Sequence, residues 1–163
     1  MRHCPSQGDI LQASFASTAC WTMPPLQTFI VEDSPVILEN LVATLEELSA
    51  VKVIGHAEDE PAALAWLAQP GQVCDLMIID IFLKRGSGLG VLRSAAQASK
   101  SLKRVVLTNY ATADMRLRCK ALGADKVFDK SSELEDLITY CDSLAESKAS
   151  RAGDAGKASP LAD

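Results

Sequence analysis

Three carboxylates, one hydroxyl and one lysine stand at the ends of short apolar runs in this 163-residue chain. They are Glu32, Asp33, Asp80, Thr108 and Lys130. Carboxylates that share a small volume repel one another unless a cation lies among them, and a hard divalent ion such as Mg²⁺ prefers such oxygen ligands. A lysine and a hydroxyl beside them suit a phosphoryl group, whose charge spreads over its oxygens. The set therefore predicts phosphoryl transfer, with Asp80 as the nucleophile.

The elements that must bring these residues together alternate along residues 28 to 146. Apolar runs predict strands at residues 28 to 31, 51 to 54, 76 to 79, 105 to 107 and 126 to 129. A pattern of helical periodicity follows each strand, and the last one covers residues 133 to 146. Five strand and helix repeats predict an α/β fold, with a parallel sheet and helices on both faces. Because ligands of such sheets gather at the carboxyl ends of the strands, we expect the five residues at one edge.

The glycine-rich stretch at residues 86 to 90 follows a strand and opens a helix, which is also the position of a dinucleotide-binding loop. Val91 occupies the third glycine position of that fingerprint, and no acidic residue closes the next strand. We therefore interpret Ser87 as a helix N-cap, like Ser34 before Pro35.

Both ends of the chain are predicted to be flexible. Residues 1 to 27 show no periodicity, and residues 147 to 163 consist mainly of Ala, Ser, Gly and Lys. Met23 is an alternative start of translation. We expect one domain at residues 28 to 146, between an N-terminal extension and a C-terminal tail that is too short to fold alone.

Composition excludes several classes of protein. The formal charge of −5 leaves no basic excess for nonspecific nucleic-acid binding. No apolar run approaches the roughly 18 residues of a membrane span. The five cysteines include no C-x-x-C pair, which argues against a zinc site or a disulfide framework and favours a cytoplasmic location. They are Cys4, Cys20, Cys74, Cys119 and Cys141.

Four motifs resemble those of the receiver domain of bacterial two-component response regulators, in the same order. They are IVEDSP at residues 30 to 35, MIIDIFLKRGSGLGVL at 77 to 92, VVLTNY at 105 to 110 and GADKVFDKS at 123 to 131. The resemblance covers residues 28 to 146 and implies a CheY-like, flavodoxin-like doubly wound sheet of five parallel strands in the order 2-1-3-4-5, with five helices.

The resemblance also implies roles for the residues at the sheet edge. Asp80 matches the phosphoacceptor, which takes a phosphoryl group from a phosphohistidine. Asp33 matches a direct Mg²⁺ ligand, Glu32 a ligand through water, and Phe82 the residue whose backbone carbonyl completes the set. Mn²⁺ is an alternative ion. Lys130 matches the lysine that pairs with the phosphoryl group.

Thr108 matches the hydroxyl residue that moves toward the phosphoryl group on activation. The aromatic switch position of the family is Val127, and Phe128 points to the other face of the sheet by strand alternation. Tyr110 is a candidate substitute for that aromatic residue. Phe82 and Tyr110 flank the predicted site, so we expect them to hinder the hydrolytic water and lengthen the life of the aspartyl phosphate.

Further departures concern the loops. Lys84 stands where the family often has a proline, and its loop therefore lacks one restraint. Asn109 stands where the family usually has a small residue. Ser131 stands where the family commonly has a cis proline, so we expect the loop after Lys130 to be built differently. These departures leave open a phosphorylation-independent interaction module. A second alternative is that the protein acts as a shuttle in a multistep phosphorelay.

The resemblance implies protein partners. We expect a sensor histidine kinase or a histidine phosphotransfer protein as donor, an unidentified protein as downstream target, and the option of a homodimer. No DNA-binding domain is expected. The domain would catalyse its own phosphorylation and slow dephosphorylation without being a metabolic enzyme. Candidate residues of the output surface are Arg116, Lys120, Lys126, Leu134 and Leu137.

Overall fold

A computed structural model describes residues 24 to 157 of the chain. Its five strands form one parallel sheet in the order β2-β1-β3-β4-β5. The strands are β1 (Leu26–Val31), β2 (Val51–Ala57), β3 (Leu76–Ile79), β4 (Lys103–Thr108) and β5 (Lys126–Asp129). The predicted fold class and strand order are confirmed.

Five helices connect and follow the strands: α1 (Pro35–Leu48), α2 (Glu60–Leu67), α3 (Gly88–Ala98), α4 (Ala113–Ala121) and α5 (Leu134–Lys157). Four of them begin at a side chain that accepts a hydrogen bond from a backbone N–H of the first turn, which satisfies one of the free donors there. These caps are Ser34, Asp59, Ser87 and Thr112. The interpretation of Ser34 and Ser87 as N-caps is confirmed.

The sheet separates two layers of buried side chains. Met77 and Ile79 of β3 face one layer, in which α2, α3 and α4 bury their apolar residues. Leu76 and Ile78 face the other, which α1 and α5 cover with Leu45 and other side chains. All four residues of β3 are buried, because this central strand has a layer on each face.

Helix α5 is longer than the predicted helix, which ended at residue 146. It continues to Lys157, so residues 147 to 157 are helical, although a flexible tail was predicted there. These residues have little to bury, but many of them are good helix formers. The ammonium group of Lys148 also donates to Asp75 Oδ2 at 2.8 Å and to the carbonyl of Pro25 at 3.0 Å. Tertiary contact therefore attaches the first part of this segment, at Lys148, to the rest of the domain.

Other boundaries differ by a few residues. Strand β1 begins at Leu26, and β2 extends to Ala57, where it still pairs with Val31 of β1. The predicted N-terminal extension before residue 24, the alternative start at Met23 and the last six residues lie outside the described part of the chain. Within residues 24 to 157, no helix is both long and apolar enough to cross a bilayer.

Candidate phosphoryl-transfer and metal site

The sheet register places the carboxylates of Glu32 and Asp80 side by side. Val31 pairs with Ile79, and the backbone N–H of Asp80 donates to the carbonyl of Val31 at 3.0 Å. Glu32 continues β1 by donating its N–H to the carbonyl of Ala57 at 2.9 Å. Parallel pairing thus turns two residues that are far apart in sequence into neighbours at the carboxyl edge.

Three carboxylates converge at this edge. One oxygen from each of Glu32, Asp33 and Asp80 lies within 4.8 Å of the others. Glu32 and Asp80 are buried, with 3% and 7% of their surface exposed, whereas Asp33 is half-buried. The predicted acidic set is therefore brought together, with Asp33 on its solvent side.

Lys130 completes the cluster from the end of β5. Its ammonium group donates to Glu32 Oε1 at 2.6 Å and to Asp80 Oδ2 at 2.9 Å. Burial alone would lower the pKa of Lys130, but the two carboxylates raise it above its ordinary value. Burial raises the pKa of Glu32, and the hydrogen bonds from Lys130 and from the N–H of Ser34 offset only part of that effect. Lys130 therefore stays charged.

The donor set fits a hard divalent cation. Three carboxylates and one ammonium group leave a formal charge of −3 + 1 = −2 in a largely buried volume. A divalent ion neutralises that charge, and carboxylate oxygens are the ligands that Mg²⁺ and Mn²⁺ accept. Glu32, Asp33 and Asp80 would hold the ion.

Phe82 lies in the loop between β3 and α3, beside the acidic cluster. Its backbone N–H is 3.3 Å from Asp80 Oδ1, and the residue pairs with Ser87 across an isolated antiparallel bridge. The use of its carbonyl as a metal ligand stays a prediction. In the same loop Gly88 packs so closely that a Cβ there would overlap the carbonyl oxygen of Asp80. Gly86 adopts a φ of 79°, which favours glycine.

These contacts explain the glycine-rich stretch without a nucleotide. They also show what holds the loop in the absence of a proline at Lys84, whose ammonium group is 3.9 Å from Glu58. Neighbouring backbone and side-chain hydrogen bonds supply the restraint, including that from the N–H of Gly88 to the carbonyl of Ile81 at 2.8 Å.

Two exposed aromatic side chains belong to the loops that follow Asp80 and Thr108. Phe82 and Tyr110 are 52% and 60% exposed, and their rings meet edge to face with centroids 5.0 Å apart. The edge-to-face arrangement of two aromatic rings is energetically favourable and partly offsets the exposure of their apolar surface. The two rings therefore contact each other, and their flanking of the phosphoryl site stays a prediction.

Thr108 ends β4 and is fully buried. Its hydroxyl oxygen accepts the backbone N–H of Tyr110 at 3.2 Å, and its carbonyl accepts the N–H of Lys130 at 2.9 Å. Thr108 is therefore bonded both to the loop that carries Tyr110 and to the strand end that carries the site lysine. Its movement on activation stays a prediction.

Strand β5 sends its two apolar side chains to opposite layers, as the alternation predicted. Val127 packs in the layer of α2, α3 and α4, whereas Phe128 packs in the layer of α1 and α5 near Tyr140. The loop after β5 is built on Asp129, whose Oδ1 accepts the backbone N–H groups of Ser131 and Ser132. The hydroxyl and N–H of Ser131 hold the pKa of Asp129 below its ordinary value.

Among the candidates for the output surface, Leu137 is buried and Arg116 is bonded within the domain. Leu137 is fully buried between α5 and the sheet, because it lies on the apolar stripe of that helix. The side chain of Arg116 is half-buried and donates to the carbonyls of Ala111 at 3.0 Å and Val127 at 2.8 Å, and to Glu133 Oε2 at 2.7 Å. Lys120 and Lys126 are exposed, as is the large side chain of Leu117.

Sequence reasoning missed Arg116 and Glu133 as structural partners. The carboxylate of Glu133 also accepts the N–H of Asp129 at 2.7 Å, so that α4, β5 and the start of α5 meet at one pair. These hydrogen bonds keep the pKa of Glu133 low, with Arg116 as the main cause. Charged residues occur every few positions along α4, and the sequence does not indicate which of them binds Glu133.

Comparison with known proteins agrees with this site. The family model described as the response regulator receiver domain matches residues 28 to 142. A curated relative, protein-glutamate methylesterase/protein-glutamine glutaminase 5 of Anaeromyxobacter dehalogenans (strain 2CP-C), is 32% identical over 108 residues. That match covers 65% of this chain but only 29% of the relative. The chain thus spans less than a third of the length of this longer protein.

Solved structures share the fold. A response regulator protein from Burkholderia pseudomallei, described with a phosphorylated aspartic acid, a calcium ion and citrate, is 22% identical with a TM-score of 0.63. The match covers 78% of this chain and 74% of that one. The Mn²⁺-bound form of response regulator Rcp1 is 26% identical with a TM-score of 0.58, and the match covers 74% of this chain and 91% of that one. The chain belongs to the response regulator receiver domain family.

Proposed function

We propose that this receiver domain accepts a phosphoryl group on Asp80 from a phosphohistidine, in a reaction that depends on Mg²⁺, and that it then signals by altered protein interactions. The observation that carries the proposal is the carboxylate of Asp80, which has Lys130 Nζ at 2.9 Å and shares a pocket with two further carboxylates. A single buried aspartate would need only one positively charged partner to neutralise it. The additional acidic groups give the pocket an affinity for a cation and, through it, for a phosphoryl group.

In the proposed reaction a carboxylate oxygen of Asp80 attacks phosphorus, the bond from phosphorus to the donor imidazole nitrogen breaks, and the imidazole leaves with the electron pair. Lys130 is already within hydrogen-bond distance of Asp80, so its charge is in place to stabilise the developing negative oxygens. A bound Mg²⁺ would add a second positive charge on the carboxylate side. Glu32 and Asp33 would hold that ion, with the carbonyl of Phe82.

Thr108 is the proposed sensor of the phosphoryl group. Its hydroxyl is bonded to the N–H of Tyr110, so rotation toward a phosphoryl oxygen would release that loop. The state with Thr108 turned inward would be favoured only after phosphorylation, which is a shift between two populations. The surface expected to change lies on α4, β5 and α5, where Lys120 and Lys126 are exposed.

The donor must approach the open edge of the sheet. A groove of about 310 Å³ lies beside Lys130, between α1 and the start of α5, with Ile37 and Leu134 among its apolar lining residues. We propose that the histidine-bearing partner, a sensor kinase or a phosphotransfer protein, packs on this groove while its imidazole enters the site. The proposed partners imply a cytoplasmic location, with which the free thiols of Cys74, Cys119 and Cys141 agree.

The proposal is tested with acetyl phosphate and Mg²⁺, following the phosphoprotein on a mobility-shift gel. We expect a shifted species in the wild type that disappears with EDTA and in Asp80→Asn. Asp136→Asn, which makes the same change at an exposed position on α5, is expected to be phosphorylated like the wild type. Phosphorylation of Asp80→Asn to the wild-type level would refute the assignment.

One observation favours the alternative of a phosphorylation-independent interaction module. Val127 occupies the aromatic switch position, and Arg116 already binds its carbonyl from the inner side of α4. A wild type that neither becomes phosphorylated nor forms a beryllofluoride complex would support this alternative. Rapid loss of the phosphoryl group to a histidine phosphotransfer domain would instead identify a shuttle in a phosphorelay.

A further inference from the structure

The loop that carries Phe82 is bound along its outer side by the start of α2. The two residues involved, Asp59 and Glu60, lie outside the acidic cluster of the site. Glu60 uses both its backbone and its side chain: its N–H donates to the carbonyl of Arg85 at 3.0 Å, and its Oε1 accepts the N–H of Ser87 at 2.8 Å. The loop is therefore bonded to α2 at two of its residues.

Two glycines make room for the Glu60 side chain. A Cβ at Gly86 or at Gly90 would overlap atoms of that side chain, including a carboxylate oxygen in each case. Gly90 lies in the first turn of α3, and glycine is a poorer helix former than alanine. The sequence thus accepts a poor helix former at the position where the carboxylate of Glu60 lies.

Asp59 anchors the same contact. It is 3% exposed, accepts the N–H of Ala62 at 2.9 Å as the cap of α2, and binds Arg85 through Nη2 at 2.6 Å and Nε at 3.0 Å. Both N–H groups of Arg85 donate to the same oxygen, Asp59 Oδ2, and form a charge-assisted pair. Glu60 consequently starts from a fixed helix end.

Ser87 connects the contact with Glu60 to the part of the loop that carries Phe82. It lies opposite Phe82 across the antiparallel bridge, and the next residue, Gly88, donates to the carbonyl of Ile81 at 2.8 Å. Ser87 also caps α3 by accepting the N–H of Leu89 at 3.1 Å. A displacement of Ser87 therefore changes the position of Phe82 and of the start of α3 together.

We propose that Glu60 is a positioning residue for the metal site, since by holding the N–H of Ser87 it sets the place of the Phe82 carbonyl. The inference rests on the proposed function, because that carbonyl matters only if a divalent cation binds at Glu32, Asp33 and Asp80. It adds a residue on α2 that contacts neither the ion nor the phosphoryl group.

The test compares Mg²⁺ affinity, measured by titration calorimetry, in Glu60→Ala, Glu60→Gln and Glu58→Ala. The loss of a charge-assisted hydrogen bond in Glu60→Ala is expected to weaken Mg²⁺ binding by about three- to tenfold. Glu60→Gln keeps an acceptor oxygen and is expected to bind within about twofold of the wild type. Glu58→Ala removes the same charge from an exposed neighbour and is expected to bind like the wild type.

A second variant keeps the charge and moves the side chain. Gly90→Ala places a methyl group where the carboxylate of Glu60 lies, so Mg²⁺ binding is expected to weaken even though alanine favours the helix. Hydrogen exchange at the Ser87 amide, read by NMR, is expected to accelerate in Glu60→Ala and Gly90→Ala but not in Glu58→Ala.

The outcomes separate this inference from the function on which it rests. Wild-type protein that binds no Mg²⁺ overturns the proposed function and the inference with it. Wild-type binding together with unchanged affinity in Glu60→Ala overturns the inference alone, and so does an equal loss in Glu58→Ala, because that would show a long-range effect of charge.

Discussion

Replacement of Lys130 by methionine tests the electrostatic account of the site. Methionine keeps most of the apolar length of the side chain but removes the ammonium group that lies 2.6 Å from Glu32 Oε1 and 2.9 Å from Asp80 Oδ2. The side chains of all three residues are almost fully buried, with 11%, 2% and 9% exposed. Lys130→Met therefore leaves buried carboxylates that water reaches poorly.

The expected loss of stability follows from these distances. With an effective dielectric constant of about 20, two unit charges 4.8 Å apart repel by about 3 kcal/mol, and the removal of one partner of a buried ion pair costs a similar amount. We expect Lys130→Met to lower the free energy of unfolding by about 3 kcal/mol in EDTA. Saturating Mg²⁺ is expected to recover roughly half of this loss or more, because the ion stabilises the folded state of both proteins but binds more tightly to the variant, whose site carries one more uncompensated negative charge.

Urea denaturation followed by circular dichroism, once in EDTA and once in Mg²⁺, measures both quantities. Lys84→Met serves as the control, since Lys84 is 56% exposed and 3.9 Å from its acidic partner. Its free energy of unfolding is expected to stay within about 0.5 kcal/mol of the wild type in both buffers. The reasoning is refuted if Lys130→Met is as stable as the wild type in EDTA, or if Mg²⁺ leaves the difference unchanged.

Two further predictions concern the aromatic pair and a buried thiol. The aspartyl phosphate of Phe82→Asn and of Tyr110→Ala is expected to decay faster than that of the wild type, because each change opens the mouth of the site to water; an equal or longer half-life on the gel assay contradicts this. Burial raises the pKa of Cys141 to about 12, so the folded protein keeps that proton where the unfolded chain loses it. Above about pH 9 the wild type should therefore lose stability more steeply than Cys141→Ala, by about 1.4 kcal/mol per pH unit; parallel pH profiles would contradict this.

The features that sequence predicted well are local ones. Ser34 and Ser87 act as caps within one turn of their own position, and the alternation of Val127 and Phe128 follows from strand geometry alone. The meeting of Glu32 with Asp80 needed one more rule, that parallel strands present their carboxyl ends at one edge. Each of these steps uses a regularity that holds for any sequence of this pattern.

The features that sequence did not predict depend on particular contacts between elements. Nothing in the spacing of α4 marks Arg116 as the residue that reaches Val127 and Glu133, rather than an exposed charge. The extension of α5 depends in the same way on Lys148 finding Asp75, which is distant in sequence. The glycine pattern was visible, but its reason, the side chain of Glu60, became apparent only when α2 was placed beside the loop.

Helix α5 is attached to the rest of the domain at two points along its length. Hydrogen bonds to Glu133 hold the chain just before it begins, and Lys148 holds it where it passes Pro25 and Asp75. At 1.5 Å per residue, Lys148 lies about 21 Å from the first residue of the helix and about 13 Å from Lys157. The two attachments thus span most of α5, and a shift of the end near the phosphoacceptor that pivots about Lys148 would also move the segment that ends at Lys157.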